Sequence, residues 1–145
     1  SLIQFLDKLC KVHGSNHPEL LEINKEFTAS SDELASHMKK EETVLFPYVR
    51  QMADSGNRKE QTAGPSFGTV RNPIQMMMQE HDTEGERFSK ISELSSKYTP
   101  PDDACTTYKV AYSMLKEFEN DLHMHIHLEN NILFPKAIEM EKEFV

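Results

Sequence analysis

Apolar side chains recur every three or four positions along most of the chain, which is the spacing of one face of an α-helix. Four segments carry this pattern. It ends first at Gly14, resumes after Pro18, and is interrupted again by residues 55–68 and by residues 98–103. The pattern therefore predicts an all-α chain, with four helices that run up, down, up and down in one bundle spanning residues 1–145.

The second segment is the longest, and a proline lies inside it. Pro47 is expected to kink this helix or to end it nearby, because proline has no amide hydrogen to donate. The helix is expected to run on to about Asp54, with a long loop at residues 55–68 centred near residue 61 and a third helix that begins near Pro73. The inward face of the second helix is predicted to contain Leu20, Ile23, Phe27, Ser30, Leu34, His37, Glu41, Val44 and Tyr48.

The third and fourth segments have inward faces of the same kind, and each includes residues that commonly bind metals. The third face contains Ile74, Met77, His81, Glu84, Phe88 and Ile91. The fourth contains Tyr108, Ala111, Leu115, Phe118, Leu122, His125, Glu129 and Ile132. Three of the four predicted helices thus direct histidine or glutamate toward one axis.

Charge and composition exclude several classes of protein. The chain has 16 Lys and Arg residues against 24 Asp and Glu, a formal charge of −8, which argues against nucleic acid or an anionic membrane as a partner. No apolar run is long enough to span a membrane and no signal-peptide pattern occurs, so a cytoplasmic location is expected. The two cysteines, Cys10 and Cys105, are predicted to be small core residues, with a role for a reactive thiol as the alternative.

One motif occurs twice. His37, Glu41, Leu45, Phe46 and Pro47 recur at the same offsets as His125, Glu129, Leu133, Phe134 and Pro135. A His and a Glu four residues apart lie on the same face of a helix, so each copy presents an imidazole beside a carboxylate. Each copy is therefore predicted to supply a pair of metal ligands.

The two copies and the third helix are expected to meet in one layer of the bundle. Burying several charged groups there would be costly unless a cation were held between them. Imidazoles and carboxylates without thiolates suit iron or manganese in octahedral geometry, with zinc as the alternative, and carboxylates on facing helices can bridge two ions. The predicted ligands are His37, Glu41, His81, His125 and Glu129.

The chain resembles a known family in three places. These are the duplicated HxxxE…LFP motif, the triplet Glu80-His81-Asp82, and the run TPPDDACTTY at residues 99–108. They are similar to the repair of iron centres proteins, which are hemerythrin-like, and the likeness extends from about residue 9 to 138. The resemblance implies a non-haem di-iron centre in a four-helix bundle, bound by the five residues above with both glutamates as bridges.

The resemblance also implies a function. Members of this family are made under nitrosative and oxidative stress and help to restore damaged iron–sulfur proteins, by donating iron or by nitric oxide chemistry at the di-iron centre. The family's remaining ligand is a histidine in the first half of the first helix, and this chain has no match for it. The sequence is therefore expected to be a fragment with a truncated first helix, unequal metal occupancy, and an uncovered apolar face that favours a homodimer.

Two other functions were compared with this one. A hemerythrin-type carrier or sensor of dioxygen or nitric oxide is the alternative, but oxygen-carrying hemerythrins have a second histidine four residues before the His-Asp pair, and Met77 occupies that position here. A ferritin-like oxidase would need Glu-x-x-His pairs instead of His-x-x-x-Glu. The sequence favours a labile, open iron site over reversible oxygen carriage.

Overall fold

The computed structural model of the chain describes residues 2–58 and 68–144, and every regular element within these ranges is helical. In chain order the elements are α1 (Leu2–His13), α2 (Glu19–Lys40), a first π segment (Glu41–Leu45), α3 (Phe46–Arg58), α4 (Arg71–Leu94), α5 (Thr106–Leu128), a second π segment (Glu129–Leu133) and α6 (Phe134–Phe144). Each π segment joins the α-helices on either side without a break. The described elements therefore form four helical rods, and the predicted all-α four-helix architecture is confirmed.

Both π segments coincide with the duplicated motif. The Phe46 amide donates to the Glu41 carbonyl, five residues earlier, and the Phe134 amide donates to the Glu129 carbonyl in the same way. A proline follows each of these phenylalanines. Because a proline ring has no amide hydrogen and clashes with the carbonyl four residues before it, the wider π turn accommodates the proline while the helix continues. The structure thus has a π segment where a kink or an end was expected.

The π segments change which side chains face inward. Val44 and Ile132 were predicted to be buried, but they are 36% and 56% exposed. Leu45 and Phe134 are fully buried instead. The prediction was wrong because it carried α-helical spacing through a turn that contains one extra residue, which rotates the following positions around the helix axis.

One helix boundary also differs from the prediction. Helix α3 continues to Arg58, so residues 55–58 are helical instead of belonging to the predicted loop, whereas α4 begins at Arg71, near Pro73 as predicted. Gly68 precedes α4 with a φ of +86°, a conformation that favours glycine. Residues 59–67, including the predicted loop centre near residue 61, lie outside the described residues.

The described residues pack as two compact units. The first comprises residues 2–33 and 83–124. Three phenylalanine rings meet edge to face or stacked near its centre, with centroids 5.2 Å (Phe27–Phe118), 5.4 Å (Phe88–Phe118) and 6.3 Å (Phe27–Phe88) apart. Each buried side chain of this size stabilises the fold by roughly 1.5–3 kcal/mol. The aliphatic and tyrosine residues buried in this unit include Leu6, Leu9, Leu20, Ile23, Ile91, Tyr108, Ala111, Tyr112 and Leu115.

The second unit comprises residues 34–58, 68–82 and 125–144. Helix α3 packs against α6 in this unit. Its apolar core is formed by Leu45, Tyr48, Met52, Val70, Ile74, Met77, Phe134 and Ala137. None of the helices in the described ranges is both long and apolar enough to cross a membrane.

A buried carboxylate fixes the start of α4 within the second unit. Glu141 of α6 accepts hydrogen bonds from the Val70 amide at 2.7 Å and from the Tyr48 hydroxyl at 2.9 Å, and also from the Thr69 hydroxyl. Burial raises the pKa of Glu141, but these hydrogen bonds outweigh burial, and the net pKa lies below its ordinary value of 4.5. The ionised form of Glu141 is therefore the one that stabilises the fold.

We predict that Glu141→Gln lowers the free energy of unfolding at pH 7 by about 2 kcal/mol, because the amide replaces a charged acceptor of three hydrogen bonds. Since the folded pKa is depressed, the stabilisation is present above the unfolded pKa and is lost as the pH falls through the folded pKa. Urea unfolding should therefore show the wild type and the variant converging as the pH falls below the ordinary carboxyl pKa of 4.5. Glu139→Gln, at an exposed position of the same helix, is the matched control. A difference that persists unchanged at low pH would contradict this account.

Candidate metal centre

The first copy of the motif places two candidate ligands at the end of α2. His37 lies in the last turn of α2, and Glu41 is the first residue of the π segment that follows. Their Nε2 and Oε1 atoms are 2.9 Å apart, and both side chains are almost fully buried. The four-residue spacing thus brings an imidazole and a carboxylate together, as the sequence predicted.

The second copy has the same arrangement, and its glutamate is the centre of the cluster. Glu129 begins the second π segment, and its Oε1 atom is 2.8 Å from His125 Nε2. The same oxygen is 2.9 Å from His81 Nε2 on α4 and 3.3 Å from His37 Nε2. One carboxylate oxygen therefore faces three imidazole nitrogens that come from three different helices.

Four of the five predicted ligands form a tight, buried group. One ligand atom from each of His37, Glu41, His81 and Glu129 lies within 4.8 Å of the other three. The His37 and His81 Nε2 atoms are only 3.3 Å apart. His125 lies at the margin, with its ring centroid 6.3 Å from that of His37 and 6.4 Å from that of His81, and 40% of its side chain is exposed.

The buried oxygens of this cluster test whether a metal ion fits it. Glu41 Oε1 and Glu129 Oε2 have no hydrogen-bond partner within the described part of the chain. The 2.9 Å contact of Glu41 Oε1 with His37 lacks hydrogen-bond geometry, although the two atoms are close. Leaving such an oxygen unpaired costs roughly 1–3 kcal/mol, and more when it is charged. A cation would satisfy both oxygens, so the donor set fits a metal ion that prefers nitrogen and oxygen ligands.

The two buried histidines differ in protonation. Burial lowers the pKa of His37, but the contact with Glu41 and the charge of Glu80 outweigh burial, and the net pKa lies above its ordinary value of 6.5. For His81, burial and the neighbouring His37 and His125 outweigh the contact with Asn130, and the net pKa lies below 6.5. Of these two histidines, His81 is therefore the one whose lone pair is more readily available at neutral pH.

Residues around the candidate ligands orient the two buried imidazole rings. His81 Nδ1 donates to Asn130 Oδ1 at 2.8 Å, which leaves Nε2 unprotonated and facing Glu129. The Phe134 ring stacks on His81 with an interplanar angle of 8° and a centroid distance of 5.7 Å. On the other side, Glu80 Oε1 lies 3.4 Å from His37 Nδ1, and its second oxygen accepts from Lys40 at 3.2 Å.

The contacts that Asn130, Phe134 and Lys40 make at the cluster were not predicted from the sequence. The position of Asn130 directly after Glu129 could have indicated its role, because a residue next to a ligand on a π segment can reach the same site. Elsewhere, His123 and His127 are exposed, as expected from their offset of two residues from His125. Cys105 was predicted to be a core residue, but it is exposed because it precedes the first turn of α5 instead of lying on the buried face of that helix.

Comparison with known proteins agrees with this arrangement. Residues 1–137 match the family described as the hemerythrin HHE cation binding domain. The chain belongs to the hemerythrin HHE family. Family membership and the four helical rods together confirm the predicted hemerythrin-like four-helix bundle, and they support the binding of non-haem iron by a His and Glu cluster.

The chain is also similar to named relatives over nearly its whole length. It is 39% identical over 141 residues to the iron-sulfur cluster repair protein YtfE of Dickeya chrysanthemi (strain Ech1591). It is 36% identical over 140 residues to the proteins of the same name from Yersinia pestis (strain Pestoides F) and Yersinia pseudotuberculosis serotype O:1b (strain IP 31758). These matches cover 97% of this chain but 58% of each relative. The predicted resemblance to the repair of iron centres family is thus confirmed.

We predict that, in the metal-free chain, ¹⁵N NMR will show His81 as the tautomer protonated at Nδ1, with a pKa below 6.5, and His37 with a pKa above 6.5. Asn130→Ala should mix the two tautomers of His81 and lower its pKa further, because the hydrogen bond from Nδ1 to Asn130 favours the protonated ring. Asn131→Ala is the matched control, since Asn131 contacts the exposed His127 instead. A His81 pKa above that of His37 would contradict the assigned geometry.

Proposed function

We propose that this chain holds a non-haem di-iron centre between His37, Glu41, His81, His125 and Glu129, and that it acts in the repair of damaged iron–sulfur clusters. The observation that supports this most strongly is the position of Glu129. Its Oε1 atom lies 2.8–3.3 Å from three imidazole nitrogens, an arrangement that one or two cations would stabilise. Manganese or zinc could substitute for iron in such a donor set.

The two carboxylates are the proposed bridges. Glu41 and Glu129 come from opposite copies of the motif, and each has an imidazole four residues before it within 2.9 Å. Glu129 Oε1 faces the imidazoles, while its buried Oε2 has no hydrogen-bond partner among the described residues and is left for a second ion. In Glu41 the oxygen without a hydrogen-bond partner is Oε1, the atom that lies 2.9 Å from His37 Nε2. When bound, a pair of iron ions in this environment would supply redox chemistry and the capacity to bind small molecules such as nitric oxide or dioxygen.

Iron donation or reaction with a small molecule requires access to the centre. His125 is 40% exposed, whereas the side chains of His37, His81, Glu41 and Glu129 are at most 5% exposed. We therefore assign His125 to the side on which ligands and metal exchange with solvent. With only five protein ligands, two bound ions would keep room for small molecules, which would suit a labile centre.

The relatives supply the biological role. They are named iron-sulfur cluster repair proteins, and we carry that role to this chain as a proposal because the chain spans only 58% of their length. Damaged iron–sulfur proteins are the partners this implies, under nitrosative or oxidative stress. The cytoplasmic location and the pairing of chains stay predictions.

Reversible oxygen carriage is less well supported. Met77 occupies the position at which oxygen-carrying hemerythrins have a further histidine, and Met77 is fully buried in the apolar core of the second unit. It packs in the same core as Leu45 and Phe134. The apolar surroundings of this position favour a centre with fewer imidazoles than an oxygen carrier uses.

We predict that His125→Ala and Glu129→Ala each abolish stable iron binding while the helical content stays nearly intact. The apolar cores of the two units, which lie outside the cluster, supply most of the stability. Iron quantitation after desalting, together with circular dichroism, measures both effects. His123→Ala is the matched control, because His123 is an exposed histidine on the same helix as His125. Unchanged iron content in either ligand variant, or complete loss of helix, would refute the assignment.

We also expect acid to release the iron. Imidazole and carboxylate ligands must be deprotonated to bind a metal, so protons compete with iron for the centre. His37 has a pKa raised above 6.5, so it binds the competing proton more readily than an ordinary histidine. Iron affinity should therefore fall as the pH drops through about 6.5, with release essentially complete by about pH 4. Iron that stays fully bound at that pH in a folded chain would show that histidines do not hold it.

A further inference from the structure

A second group of reactive side chains lies in the first unit, whereas the proposed iron ligands belong to the second. Cys105 is exposed and immediately precedes α5, a helix of 23 residues. The Lys109 amide donates to the Cys105 carbonyl at 3.1 Å, which places Cys105 at the N-terminal cap of this helix. Cys105 therefore lies at the positive end of the helix dipole.

An imidazole lies against this thiol. His13, the last residue of α1, has its Nε2 atom 3.4 Å from Cys105 Sγ. The His13 ring packs edge-on against the Tyr108 ring at a centroid distance of 5.2 Å, and His17 packs on the same ring at 5.8 Å. His17 in turn contacts the Asp103 carboxylate at 2.8 Å. His13 is therefore held where it can accept the proton of the Cys105 thiol.

A cleft opens beside this pair. It has a volume of about 460 Å³, and His13, Cys105, Thr106 and Thr107 line it together with Leu9, Val12 and Lys8. Lys8 contributes a positively charged side chain to this lining, and the two threonines contribute hydroxyl groups that can form hydrogen bonds. The cleft thus combines a nucleophile, a base and a positive charge, which suits a small anionic electrophile.

We propose that Cys105 and His13 form a thiol–disulfide exchange site for small anionic disulfides. Cys105 sulfur attacks one sulfur of the disulfide R–S–S–R while His13 accepts the thiol proton. A Cys105–S–S–R bond forms, the S–S bond of the disulfide breaks, and the departing thiolate takes the proton from His13 and leaves as R–SH. Lys8 binds the carboxylate of the incoming molecule.

The other cysteine provides an internal control. Cys10 Sγ donates to the Leu20 carbonyl at 3.4 Å, and burial, followed by the charge of Asp7, raises the pKa of the Cys10 thiol. No histidine contact is found for Cys10 among the described residues. The two thiols therefore differ in exposure and in contact with a histidine: Cys105 is exposed and lies against His13, and Cys10 has neither feature in the described part of the chain.

The test compares the two thiols in the same protein. The full chain is reacted at pH 7 with 5,5′-dithiobis(2-nitrobenzoate), an anionic disulfide, and with cystamine, a cationic one, and each cysteine is followed by peptide mass spectrometry. We expect Cys105 to react with the anionic probe at least about tenfold faster than Cys10. We also expect Cys105 to prefer the anionic probe over the cationic one. Equal rates for the two cysteines, or no preference between the probes, would overturn the proposal without any variant being needed.

Variants separate the proposal from simple exposure of Cys105. His13→Gln should slow Cys105 about tenfold and leave Cys10 unchanged, because only Cys105 loses its base. Lys8→Gln should slow the reaction of Cys105 with the anionic probe but not its reaction with cystamine. His123→Gln, at an exposed histidine outside the cleft, should change neither rate. Unfolding would accelerate both cysteines, so a selective slowing of Cys105 cannot arise from it. An unchanged Cys105 rate in His13→Gln would show that His13 is not the base for this thiol. Equal slowing of the reactions with both probes in Lys8→Gln would show that the site does not select anionic disulfides.

Discussion

The buried contact between Glu129 and three imidazoles is the constraint that best explains the second unit of this molecule. Glu129 and the two buried histidines, His37 and His81, cannot be removed from water at low cost unless their lone pairs find a positive partner. The protein nevertheless places Glu129 Oε1 2.8–3.3 Å from three imidazole nitrogens, and two carboxylate oxygens of the cluster have no hydrogen-bond partner in the described residues. Such a cluster is costly for folding, which is why we read it as a site built for a cation.

The π segments explain how one sequence motif serves both the cluster and the core. Glu41 and Glu129 are the first residues of these segments and face the cluster, whereas Leu45 and Phe134 lie in the apolar core a few residues later. The extra residue in each turn makes this change of direction possible, and the proline after each phenylalanine favours the wider turn. Phe134, which is part of the apolar core, also stacks on His81 and so helps to orient the ring of a candidate ligand.

Much of this arrangement could be predicted from the sequence, and the reasons are specific. Helix type and number follow from apolar spacing, and the candidate ligands follow from two His-x-x-x-Glu pairs whose spacing matches one helical turn. Val44 and Ile132 were assigned to the wrong face because apolar spacing does not reveal a π turn. The role of Asn130 and the pairing of Cys105 with His13 depend on contacts between residues distant in sequence, which periodicity along one helix cannot show.

The most direct test of the central claim is an anomalous difference map, recorded at the iron edge, from a crystal of the iron-loaded chain. We predict two peaks between His37, His81 and His125, beside the Glu41 and Glu129 carboxylates, because imidazole and carboxylate ligands suit iron. A map with no peak at the cluster, or with iron bound only elsewhere on the chain, would contradict the claim that the buried His and Glu layer exists to hold iron.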